Sequence, residues 1–137
     1  MLESLWSGKE LEFALKLALS LLAGMAVGVE RQYRGKPAGI RTHGLVIGGS
    51  MLFTVVSALA DPASPARISA QIVTGIGFLG AGAILHREGG IVANLTTAAE
   101  IWFSAAIGIC IALGWYVMAA LAVGYAVLVT RLPRFRK

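Results

Sequence analysis

Gly28-Val29-Glu30-Arg31-Gln32-Tyr33-Arg34-Gly35-Lys36-Pro37-Ala38-Gly39-Ile40-Arg41-Thr42-His43 is the stretch from which the rest of the chain is read. It packs one acid and four Arg or Lys residues between two long apolar runs. That is the composition of a turn in water between two membrane-crossing helices. An excess of Arg and Lys in a short loop puts it on the cytoplasmic side, and the orientation of every other segment follows.

Composition agrees with a membrane reading. Of 137 residues, 57% are hydrophobic and 14% charged, and the charges crowd between apolar runs, as in a polytopic membrane protein of one domain, residues 1–137. The net charge of +5 sits at segment ends and forms no separate basic face. It therefore points to topology and to membrane lipid as a partner, with no nucleic acid. Cys110 stands alone within an apolar run, so there is neither a disulfide framework nor a CxxC site, and the residue reads as small core packing.

Outward from the loop, the first span covers about residues 12–29. Before it, Glu3, Glu10 and Glu12 against Lys9 do not make the positive start of a signal peptide, and Trp6 reads as an interfacial anchor. Lys16 is expected to snorkel outward. Gly24 and Gly28 form a GxxxG pair that lets another helix approach closely, in this chain or in a second copy. The second span, about 42–60, ends at Asp61-Pro62, and Asp61 can pair with Arg67 across a short outer loop. The third, about 68–85, carries Gly75, Gly77, Gly80 and Gly82 and is expected to sit centrally with neighbours against its backbone. After His86-Arg87-Glu88-Gly89-Gly90 the 35 residues 95–129 carry one charge, Glu100. A single helix of that length would run about 50 Å, too long for one pass. Two spans, about 95–113 and 115–131, with a turn at Gly114-Trp115, fit better.

Five spans place Arg31, Arg34, Lys36, Arg41, Arg87, Arg131, Arg134, Arg136 and Lys137 inside and leave Lys9, Lys16 and Arg67 outside, nine against three. The expected fold is an all-α integral membrane protein of five transmembrane helices, N-terminus out and C-terminus in.

The polar residues near or within the spans are the candidates for chemistry. Glu30 ends an apolar helix and either pairs with Arg31, Arg34 or Arg41 or faces an inner cavity. Glu100 lies about one and a half turns into the fourth span, where an unpaired charge costs about 2.5–3.5 kcal/mol, so something must compensate it. Thr97 and Ser104 share its face at helical spacing. Gln71 falls on one face of the third span with Gly75, Phe78 and Gly82, where an amide either lines a cavity or bonds a neighbouring helix. His43 and His86 both read as inner-face residues, more easily bystanders than a metal pair. No catalytic constellation, metal site or cofactor motif emerges.

Glu30-Arg31-Gln32, Arg34-Gly35-Lys36-Pro37-Ala38-Gly39 and Arg41-Thr42-His43, followed by Gln71, Gly75-Ile76-Gly77-Phe78-Leu79-Gly80-Ala81-Gly82 and Leu95-Thr96-Thr97-Ala98-Ala99, resemble the MgtC/SapB family of bacterial inner-membrane proteins. The resemblance implies a non-enzymatic protein of the bacterial inner membrane, linked to magnesium homeostasis and to survival in low magnesium or inside host cells. It also implies action on a membrane partner such as F-type ATP synthase, and many members carry an ACT-like C-terminal domain that is not seen in these residues. Glu100 departs from the family, which usually has a small or neutral residue there. The alternative reading is a small dimeric transporter or channel for protons, cations or a small solute, with Glu30, Gln71 and Glu100 along its path; five spans would need a second copy to enclose one, hence an expected homodimer.

Overall fold

The computed structural model describes residues 8–87 and 91–133, with the main chain alone at 85–87 and 91. Trp6, the side chains of His86 and Arg87, and the tail residues Arg134, Arg136 and Lys137 lie outside the described set. Five helices follow in order: α1 (Glu10–Tyr33), α2 (Ile40–Ala60), α3 (Arg67–Ala83), α4 (Leu95–Ala112) and α5 (Tyr116–Arg131). Between α3 and α4, where the sequence reads as a plain loop, strands β1 (Leu85–Arg87) and β2 (Ile91–Ala93) pair antiparallel, Leu85 opposite Ala93.

The chain is a multi-pass, all-helical membrane protein. By length and composition α1, α2 and α4 can each cross a membrane. With 17 and 16 residues, α3 and α5 run about 24–26 Å at 1.5 Å per residue, short of a hydrocarbon core of roughly 30 Å. Such helices rely on flanking anchors, and Trp115 with Tyr116 at one end of α5 and Arg131 at the other supply them. The surface is apolar, as lipid requires: Leu45, Phe78, Val117 and Leu121 are all more than two-thirds exposed.

Helix ends follow from glycine. Gly35 has φ +62°, and α1 closes as a Schellman motif in which the Lys36 N–H donates to the Arg31 carbonyl and the Gly35 N–H to that of Gln32. Gly114 (φ +77°) ends α4 in the same way, with bonds from Trp115 to Cys110 and from Gly114 to Ile111. On the outer loop Asp61 accepts the Ser64 N–H and pairs with Arg67 at 3.3 Å, while Ser57 Oγ accepts the Ile68 N–H and so serves a free donor at the start of α3.

The centre of the bundle is α4, which packs against all four other helices. Its core is built with α2 around Ile47, Met51, Ile107 and Ile111. This corrects the expected central place of α3, which buries only Ile72, Ile76 and Gly80 among its residues. A Cβ added at Gly75, Gly77 or Gly82 would meet nothing within 4 Å. The close approaches are made elsewhere. A Cβ at Gly24 would lie 2.5 Å from Gly44 Cα, one at Gly28 2.5 Å from Ile40 Cα, and one at Gly108 would run into the Ile47 carbonyl. The GxxxG face of α1 is thus spent on α2 within the chain and is closed to a second copy. Gly77→Ala is accordingly expected to leave stability unchanged or to raise it by up to about 1 kcal/mol through helix propensity, read from thermal unfolding in detergent.

Lys16 is a second correction. Its side chain turns inward: Nζ donates to the Ala112 carbonyl at 2.8 Å and pairs with Glu12 at 2.6 Å. A bond to a free carbonyl at the end of α4 satisfies both partners, which snorkelling would leave to water. Lys16→Met should cost about 1–2 kcal/mol, checked by the same unfolding measurement.

Candidate functional site

The inner ends of α1, α2 and α4 hold the polar groups that the sequence singles out. The buried face of α1 runs through Ser20, Ala23, Gly24, Val27 and Gly28 to Arg31, so helical spacing carries the loop's first arginine into the bundle. On α4 the same geometry turns Thr97, Glu100 and Ser104 inward. The two faces meet in an ion pair, with Arg31 Nε 2.7 Å from Glu100 Oε2 and both side chains 4% exposed. Arg31 Nη2 also donates to Thr97 Oγ1 at 2.6 Å. The Nε contact is close but is not aligned as a hydrogen bond, so its contribution is coulombic.

Two further pairs flank it. Glu30 binds Arg34 one turn on, at 2.5 Å, its own side chain 11% exposed and the arginine half-exposed. His43 is fully buried one turn into α2, where its Nδ1 lies 2.9 Å from Ser104 Oγ. That overturns its reading as an inner-face bystander. The buried positions of α2, His43, Val46, Ile47, Ser50, Met51, Thr54 and Ser57, follow one helical stripe that already includes it.

Among the described residues six buried side-chain atoms have no hydrogen-bond partner; Arg31 Nε, Glu100 Oε2 and Glu30 Oε1 are in ion pairs, which leaves Glu30 Oε2, Glu100 Oε1 and His43 Nε2 with neither. Among those residues no group of three or more His, Cys, Asp or Glu is placed to hold a metal ion.

Gln71 does not join this cluster. It is exposed on α3 and lines an apolar groove of about 470 Å³ between α2 and α3, beside Leu45, Phe53 and Leu79. Of the loop residues, Gln32, Arg34 and Arg41 are exposed and Lys36 half-buried, around a buried Ala38. Gly80 faces Ala98 across the α3–α4 contact.

The sequence reading located the anomaly at Glu100 but not its partner. Two signals pointed to Arg31: the continuing period of the buried face of α1, and the need for one cation to answer one acid in lipid.

With this geometry in hand, comparison with known proteins places the chain among relatives. The model of the MgtC family matches residues 17–136. YhiD of Escherichia coli K12, a candidate magnesium transporter by its name, is 53% identical over 114 residues, covering 77% of this chain and 53% of that protein. Protein MgtC of Salmonella typhimurium LT2 is 49% identical over 104 residues, 76% and 45% of the two chains. Protein MgtC of Brucella abortus is 46% identical over 119 residues, 86% and 50%. The chain thus spans about half the length of these relatives. No solved structure matches it.

Proposed function

The chain belongs to the MgtC family, and from that premise we propose that it is a non-enzymatic membrane component of magnesium homeostasis that acts by modulating a membrane partner. The name of YhiD supports the link to magnesium. The partner is read as a complex such as F-type ATP synthase, and the setting as the bacterial inner membrane with the N-terminus out and the C-terminus in, which follows from the basic inner segments.

One observation carries the choice of modulation over conduction. The polar side chains of the inner half are engaged with one another: Arg31 with Glu100 and Thr97, Glu30 with Arg34, and His43 with Ser104. They tie α1 and α2 to α4, as a rigid interaction module needs. What the loop offers outward is Tyr33, 90% exposed, and the exposed Arg34 and Arg41. An aromatic ring between arginines is a composition enriched in protein contacts. The transporter reading needs Glu30, Gln71 and Glu100 on one path, whereas Gln71 is exposed in the α2–α3 groove, whose lining includes neither of the other two.

The test is gentle purification from native membranes with native mass spectrometry of wild type and Arg41→Glu. Stoichiometric recovery of a second membrane complex with the wild type, lost in the variant, is expected. Recovery as a homo-oligomer alone, alike in both, together with magnesium flux in proteoliposomes, would overturn the proposal.

A further inference from the structure

Between α4 and α5 lies a cavity of about 140 Å³, open on one side, and Glu100 forms part of its wall. Thr96, Ala99 and Phe103 line it from α4, and Tyr125 and Thr130 from α5. Phe103 and Tyr125 face each other with ring centroids 5.5 Å apart and planes tilted by 39°. Glu100 therefore has two sides. One oxygen meets Arg31, while the other, Oε1, is buried with no hydrogen-bond partner among the described residues. A carboxylate oxygen in that state within a membrane bundle is costly and calls for a donor.

The lining of the cavity says which kind. Glu30 is paired with Arg34 and Glu100 with Arg31, so each of the two acids has its own cation. The second cation, Arg34, is half-exposed at the rim. What Glu100 Oε1 lacks is a hydrogen-bond donor. Magnesium, sodium or potassium would want a shell of about six oxygens, and this wall is chiefly methyl, methylene and aromatic carbon. Aromatic faces beside a carboxylate suit an organic ammonium, whose N–H groups find the oxygen while its carbon chain lies on the rings. With a water's share of volume at about 30 Å³, the space takes roughly four or five non-hydrogen atoms.

We propose that the α4–α5 cavity binds a small primary ammonium group, which donates to Glu100 Oε1 and packs its alkyl carbons on Phe103 and Tyr125. The group comes either from a free amine or from the ethanolamine headgroup of a membrane lipid. The site does not depend on the partner reading above, since neither requires the other.

The experiment is calorimetric titration of the purified full chain in detergent with ethylammonium chloride, sodium chloride serving as control. Wild type, Ala99→Leu and Glu100→Gln are compared. Ala99→Leu fills the cavity from an exposed position and leaves the Arg31–Glu100 pair in place, so it decides the matter even if Glu100→Gln does not fold. Saturable binding of ethylammonium but not sodium, at least tenfold weaker in Ala99→Leu, is expected. Native mass spectrometry from lipid nanodiscs then separates the sources. Retention of phosphatidylethanolamine over phosphatidylglycerol by the wild type, lost in Ala99→Leu, supports a headgroup; ethylammonium binding without such retention supports a free amine. No saturable ethylammonium binding, or equal affinity in wild type and Ala99→Leu, overturns the proposal.

Discussion

Glu100→Ala is expected to destabilise the bundle by about 3–5 kcal/mol, read from the midpoint of unfolding in mixed micelles. The magnitude comes from what remains behind. Arg31 would keep its charge at 4% exposure with Thr97 as its recorded partner, in a bundle whose surroundings are lipid. A buried cation that loses its counter-ion pays most of its desolvation cost uncompensated. The exposed Asp61–Arg67 pair on the outer loop provides the internal contrast: its side chains are 36% and 75% exposed, and Asp61→Ala should cost no more than about 1 kcal/mol. Equal losses for the two variants would show that burial does not set the value of the inner pair.

Gly108→Ala is expected to be as damaging, by about 3 kcal/mol or more, seen as a lowered unfolding midpoint and loss of monodisperse protein in size-exclusion chromatography. The added methyl would overlap the Ile47 carbonyl and lie 2.8 Å from Ser50 Cβ. The first obstacle is main chain within a helix, which cannot swing aside as a side chain can. To admit one carbon, α2 must move off α4, and the contact that opens is the core of Ile47, Met51, Ile107 and Ile111. Small residues at helix crossings in a membrane act by letting dispersion contacts form, since lipid supplies little hydrophobic drive between helices.

Much of this architecture was legible in the residues. The number of helices followed from the apolar runs and the charged breaks between them, and the turn at Gly114 from the excess length of residues 95–129. The roles of the glycines were harder. A small residue marks either a close approach or an open face, and composition alone does not say which. Gly24, Gly28 and Gly108 turned out to be the approaches, while Gly75, Gly77 and Gly82 of α3 face open space. The loop misled for a related reason. Its charges read as a turn in water, and Arg34 and Arg41 do lie there. Arg31 and His43, at its two ends, belong to the buried stripes of the helices they terminate or begin, where periodicity outweighs the polarity of the neighbours. Gln71 posed the opposite problem: a helix-face argument without knowledge of the packing partners leaves open a cavity or a helix contact, and the amide lines the α2–α3 groove without joining the Arg31–Glu100 pair.

α1 is locked to α4 through the Arg31–Glu100 pair, and a double-mutant cycle tests that lock most directly. Unfolding free energies would be measured for wild type, Arg31→Met, Glu100→Leu and the double variant under one set of conditions. If the two charges hold each other, each single change leaves the other charge buried and alone, while removing both relieves that cost. The expected result is a double variant close to wild type and a coupling energy of about 2–3 kcal/mol or more. Single losses that simply add, with coupling within about 0.5 kcal/mol of zero, would contradict the lock.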